Sequence, residues 1–194
     1  MSVLALSESR PSLLDALRGP RATVTAQVLG IVGFAALAAL GAQTRVFIWE
    51  VPVTFQTLAV FGSGLFLGGR NGALAMGLYL AAGLLFPVFA GDGYGPAYFL
   101  GATAGYLVAY PLAALVVGTL TERWTSFVGS GLAMMVGAAV VYTLGVTWLA
   151  IAGPYETLWE AVVRGALLFI PVALVKMWLV AGGHAALRLA TRER

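Results

Sequence analysis

Between Thr23 and Gly183 long apolar stretches follow one another with only short polar breaks, and this pattern constrains the fold more than any other feature. A helix that crosses a bilayer needs roughly 20 apolar residues. The stretches at 23–43, 97–120 and 127–152 reach that length, while those at 54–67, 73–90 and 165–183 are shorter but almost as poor in charge. The chain has 194 residues, 60% hydrophobic and 10% charged, against about 25% charged in ordinary soluble domains. A soluble fold of this size cannot hide so much apolar surface. The expectation is an all-α integral membrane protein of six transmembrane helices, multi-pass in the plasma membrane, with lipid as its main surroundings.

The basic residues set the orientation. A cytoplasmic N-terminus puts Arg10, Arg18, Arg21, Arg70, Arg123, Arg188, Arg192 and Arg194 inside, and only Arg45 and Arg164 outside. Lysine and arginine favour cytoplasmic loops, so both termini are expected in the cytoplasm. Residues 1–22 form a cytoplasmic or interfacial segment, 23–184 the six-helix membrane domain, and 185–194 a basic cytoplasmic tail. Glu8, Arg10, Asp15 and Arg18 interrupt any leader-like apolar core. Leu13, Leu14 and Leu17 fit either a short interfacial helix ended at Gly19-Pro20 or a frayed end.

One stretch departs from plain helix. From Leu85 to Pro111 the chain reads LFPVFAGDGYGPAYFLGATAGYLVAYP, an apolar arrival, a glycine-proline turn bearing one acid (Asp92), and an apolar exit. Irregular backbone at membrane depth is tolerated where protein buries it or where it lines a cavity. The turn is therefore expected to wall a ligand pocket open to the outer face, lined by aromatics such as Tyr79, Phe89 and Tyr106. Across from it, Thr54, Gln56 and Thr57 open the second stretch. Polar groups there are costly unless hydrogen-bonded, so they either face a wet cavity or satisfy the helix start.

Lys176 lies midway along the last apolar stretch. A lysine at that depth costs roughly 2.5–3.5 kcal/mol on insertion scales and marks a functional site by default. No acid occurs inside any predicted span, so the ammonium must meet carbonyls, water or a ligand anion. In the first span Ala35, Ala38, Ala39 and Ala42 place small residues on one face. Such a face serves close packing within the chain or docking of a partner subunit.

Several function classes are excluded. There is no GxxxxGK[ST], HExxH or GxSxG motif, so the chain is not expected to be an enzyme or to hydrolyse ATP itself. With no cysteine and one histidine, His184, it is expected to hold no metal and no cofactor. The charges lie between or beyond the spans, and no nucleic-acid partner is expected.

The ordered segments Val51-Pro52-Val53-Thr54-Phe55-Gln56-Thr57-Leu58-Ala59-Val60, Gly64-Leu65-Phe66-Leu67-Gly68, Tyr79 and Phe86-Pro87-Val88-Phe89-Ala90-Gly91 resemble the BioY family. Its members are the biotin-binding S components of energy-coupling factor (ECF) transporters. The family's GPTGGYL signature is similar to Gly101-Ala102-Thr103-Ala104-Gly105-Tyr106-Leu107, and its Pro-x-Asp-x-x-Lys element to 171–176. The resemblance implies high-affinity capture of biotin as transported substrate, with a coupling transmembrane subunit and ATPase subunits as partners. It implies a site at Gln56, Tyr79, Phe89, Gly91, Asp92, Thr103, Gly105, Tyr106, Ala173 and Lys176, and docking of the coupling subunit at the alanine face Ala35, Ala38, Ala39 and Ala42. Biotin is expected to arrive from outside under the loops at 44–53 and 91–96. Where the family has an aspartate one turn before the lysine, this chain has Ala173; Ala102 and Ala104 replace a proline and a glycine. A different vitamin, or a stand-alone facilitator, is the alternative.

Overall fold

The computed structural model describes residues 17–18, 22–46 and 51–192; side chains of residue 46 and of 188–192 are not described. Seven α-helices occur among the described residues: α1 (Val24–Gln43), α2 (Gln56–Leu67), α3 (Gly69–Gly83), α4 (Ala104–Arg123), α5 (Phe127–Ala152), α6 (Leu158–Gly165) and α7 (Ile170–Arg192). A two-residue antiparallel ribbon, β1 (Arg45–Val46) with β2 (Val53–Thr54), joins α1 to α2, pairing Arg45 with Thr54. Short 3₁₀ turns precede α4 (Pro96–Leu100) and α7 (Leu167–Phe169). Of the expected cytoplasmic or interfacial segment 1–22, residues 1–16 and 19–21 lie outside the described residues, as do the loop residues Trp49 and Glu50.

Hydroxyl side chains start three helices. Thr23 accepts from the Ala26 N–H (3.2 Å), Ser126 from Gly129 (2.9 Å) and Thr157 from Glu160 (3.2 Å); each satisfies an N–H that the helix itself cannot. The Thr157-x-x-Glu160 spacing is also that of a capping box. This makes α6 a helix in the polar break between the predicted stretches at 127–152 and 165–183.

The break between the predicted stretches at 54–67 and 73–90 contracts to one residue. Gly68 takes φ +82° and reverses the chain alone, a conformation open to glycine without the steric cost of a Cβ. Gly69–Gly72 then serve as the first turn of α3. Here α4 crosses so closely that a Cβ on Gly118 would fall on the backbone of Gly68 and Gly69. Small residues thus bring α2, α3 and α4 together, with α1 laid against α2 and α3, α5 against α4, and α7 closing on α5 and α2.

By length and composition four stretches can cross a membrane: Val24–Gln43, Ala104–Arg123, Phe127–Ala152 and Leu158–Leu187. The shorter α2 and α3 span only about 18 and 22 Å at 1.5 Å per residue. The expected third stretch stops at Gly83, because residues 84–95 fold as turns, and the fourth begins at Ala104. Pro171 falls in the first turn of α7, where its missing N–H costs nothing. The helix also continues through 185–192, where a tail was expected.

The outer surface is apolar. Val24, Leu29 and Leu40 of α1, Ile151 of α5 and Leu179 of α7 are all exposed, as suits helices whose solvent is lipid.

At one end of the bundle Arg18 donates to Leu65 O (3.0 Å), Gly118 O (2.8 Å) and Thr121 Oγ1 (3.1 Å). It thus satisfies carbonyls near the C-terminal ends of α2 and α4, which lack helical partners or share them. Arg18→Ala is expected to lose about 2 kcal/mol. A fall in melting temperature of the detergent-solubilised protein, absent or smaller in Arg18→Lys, checks this.

Candidate functional site

The site is built where α7 faces the start of α2. Lys176 sits two turns into α7, is 7% exposed, and points inward rather than to lipid. Its ammonium donates to Thr54 O (2.5 Å) and more weakly to Thr57 Oγ1 (3.5 Å), and lies 5.8 Å from the Phe55 ring centre. Among the described residues no acid pairs with it. Removing a charge from water is costly unless it is paired and hydrogen-bonded, and an ammonium has three donors. Lys176 borders a cavity of about 70 Å³, so its remaining capacity is available there.

Gln56, Thr103, Tyr106 and Ala173 also line this cavity, as do Tyr110, Tyr142 and Phe169. Gln56 is held by two neighbours, Thr54 and Tyr79. Its N–H and Oε1 both engage the Thr54 hydroxyl (3.4 and 2.8 Å), and its Nε2 donates to the Tyr79 hydroxyl (2.6 Å). The start of α2 is therefore polar because it faces both the cavity and Tyr79. Tyr106 donates to Gly165 O (2.9 Å), tying α4 to the end of α6.

The expected residues Tyr79, Phe89, Gly91, Asp92 and Gly105 are not among those lining the cavity. Tyr79 stands behind Gln56 and donates onward to Val88 O (3.3 Å). Phe89 is fully buried between Tyr79, Tyr98 and Phe99, with ring centres 5.4, 4.8 and 5.5 Å away. Its ring fills the space that a side chain on Gly83 would need. Gly91 and Asp92 form the turn tip, with Asp92 exposed at φ +55°, a region that short polar side chains tolerate. Gly105 packs against Trp148 and Leu144 on the far side of α4.

These residues build the wall rather than its inner surface. Phe89 N–H donates to Gly93 O (3.0 Å), Gly95 N–H to Gly83 O (2.8 Å), Gln43 Nε2 to Phe89 O (3.2 Å) and Trp148 Nε1 to Gly101 O (2.9 Å). Tyr98 donates to Ala90 O (3.0 Å); burial raises its phenol above the ordinary range, so it stays a protonated donor. The glycine turn is a fastened wall.

The alanines of α1 do not fit a partner-facing stripe. Ala38 and Ala42 are fully buried, Ala35 nearly so, and Ala39 is partly covered. Their smallness lets α1 approach the chain's own α2 and α3. His184, farther along α7, is buried edge-on to Phe66 at 5.3 Å and stands apart from the cavity.

Arg45 was not expected at the site. The β1–β2 pairing sets it opposite Thr54, and its guanidinium passes over Gly91, 3.3 Å from where a side chain there would begin. Only the ribbon register brings it there, and two-residue strands leave no periodic signal.

The family model described as "BioY family" matches residues 12–193. The chain belongs to the BioY family. A relative described as a probable biotin transporter BioY, from Pyrococcus horikoshii, is 37% identical over 148 residues, covering 74% of this chain and 84% of that one. The biotin transporter BioY of Thermotoga maritima is 34% identical, over 82% of this chain and 93% of the relative. The crystal structure of an S-component for biotin from an ECF-type ABC transporter superposes with a TM-score of 0.77, covering 84% of this chain and 91% of that one, at 24% identity. This BioY-family chain thus has the S-component fold and, with its apolar helices, is a membrane protein.

Proposed function

We propose that this chain is the high-affinity biotin-capture subunit of an ECF-type uptake transporter in the plasma membrane. Six segments cross, with α2 and α3 as the short pair, and both termini face the cytoplasm. The observation that carries the reading is Lys176, a buried ammonium with no acid partner among the described residues, bordering a cavity in a family whose relatives are described as biotin transporters.

Biotin offers a carboxylate and a urea carbonyl, both acceptors that suit an ammonium. Lys176 takes one of them in exchange for its contact with Thr54, and Gln56, Thr103 and Tyr106 line the rest. Arg45, beside the turn, adds a second positive charge. Tyr79, Phe89, Gly91, Asp92 and Gly105 hold the walls. At about 70 Å³ the cavity is smaller than the roughly 300 Å³ at which ligand pockets usually begin. Binding therefore requires the ribbon and the start of α2 to move outward and then close, the ordinary behaviour of a lid.

The chain is a transporter subunit, not an enzyme, and uses no cofactor; biotin is its cargo. Lacking a phosphate-binding loop, it depends on separate ATPase subunits and a coupling membrane subunit, which turn capture into inward release. Equilibrium titration of the protein in nanodiscs tests this, with a biotin dissociation constant below about 1 μM expected. Ala173 favours one second reading, an S component for another vitamin, which tighter binding of a competing vitamin would establish. Uptake into liposomes by this chain alone would instead indicate a facilitator.

Tyr79→Phe removes the partner of Gln56 Nε2 without touching the cavity. Biotin affinity is expected to fall about 3- to 10-fold, the scale of one neutral hydrogen bond. The same titration measures it.

A further inference from the structure

A cyclic urea presents one carbonyl acceptor and two N–H donors, and an ammonium can serve only acceptors. Whichever acceptor Lys176 takes, the N–H groups need acceptors of their own, since a buried donor left unpaired costs its full desolvation. Ala173, on the Lys176 face of α7, offers none.

Most other polar side chains of the cavity already have a protein partner. Thr57 Oγ1 receives Lys176, Gln56 Oε1 receives Thr54, and Tyr98 donates to Ala90 O. Tyr106 spends its proton on Gly165 O. Two phenols differ. Tyr110 of α4 is only 5% exposed, Tyr142 of α5 is half-buried, and both line the same cavity. Neither hydroxyl has a hydrogen-bond partner among the described residues. A buried tyrosine hydroxyl usually finds one. Two on facing helices, both bordering the cavity that Lys176 borders, form a site in search of polar atoms.

We propose that Tyr110 and Tyr142 are specificity residues that accept the N–H groups of the ligand's cyclic urea, a task left to neutral hydroxyls because no carboxylate among the described residues borders the cavity. This rests on the biotin reading above. A phenol both accepts and donates, so the pair also tolerates either orientation of the ring.

The test is titration of wild type, Tyr110→Phe, Tyr142→Phe and the double variant in nanodiscs with biotin, desthiobiotin and biotin methyl ester. All three ligands keep the urea, and the ester lacks the negative charge. The substitution removes only the hydroxyl, and equal melting temperatures confirm that the fold is kept. Each single variant is expected to bind about 3- to 10-fold more weakly, and the double variant more weakly still, by a similar factor for all three ligands. Unchanged affinity in the double variant, or a loss that disappears with the ester, would overturn the proposal while leaving biotin capture intact. A wild-type protein that binds none of the three would overturn both.

Discussion

Lys176→Met is expected to weaken biotin binding roughly 30- to 150-fold, the equivalent of the 2–3 kcal/mol that a hydrogen bond to a charged group contributes. Its melting temperature is expected to equal or exceed that of wild type. The two effects have opposite causes. The ammonium is buried without an acid among the described residues, and an unpaired buried charge carries a desolvation cost that an apolar side chain of similar volume does not. Met keeps the length and loses the charge, so the cavity is not simply enlarged, as it is in Lys176→Ala. A lysine kept for structure would behave in reverse, with stability falling and affinity for biotin unchanged. That outcome would remove Lys176 from the site.

The second large effect concerns the scaffold. Gly118→Val is expected to lower stability by about 3 kcal/mol or more, because overpacking forces backbone shifts. A Cβ at 118 already collides with Gly68 and Gly69, and valine adds two methyls beyond it. For a chain of this length the loss corresponds to about 6–12 °C in melting temperature. Gly77→Ala is the control. Nothing lies within 4 Å of a Cβ there, and alanine is the better helix former, so no loss is expected. Equal behaviour of the two variants would mean that the α3–α4 crossing is looser than its geometry.

Periodicity and charge made the helical class legible, because apolar runs of membrane length have few alternatives. The segment 127–152 was readable to the residue, since Ser126 caps one end and Gly153 follows the other. Lys176 was readable from depth alone, and Gln56 from its cost in an apolar start. What remained hidden depends on contacts distant in sequence. Phe89 and Tyr79 were expected at the ligand surface, but aromatic composition does not say which layer of a wall a ring occupies. Asp92 was expected near the ligand, yet one acid among glycines also suits a turn tip. The alanines of α1 have the same spacing whether they face a partner or their own bundle, and only burial separates the two. Arg45 and Gly91 are brought together by a two-residue ribbon, and Tyr110 and Tyr142 by the packing of α4 on α5. None of these leaves a local pattern.

The most direct measurement is mass spectrometry of the small molecule released on denaturing the protein purified from biotin-containing medium. The expected result is biotin at close to one molecule per chain, lost in Lys176→Met. A different vitamin in the wild-type sample, or no bound molecule together with no binding on addition of biotin, would contradict the assignment of this cavity to biotin.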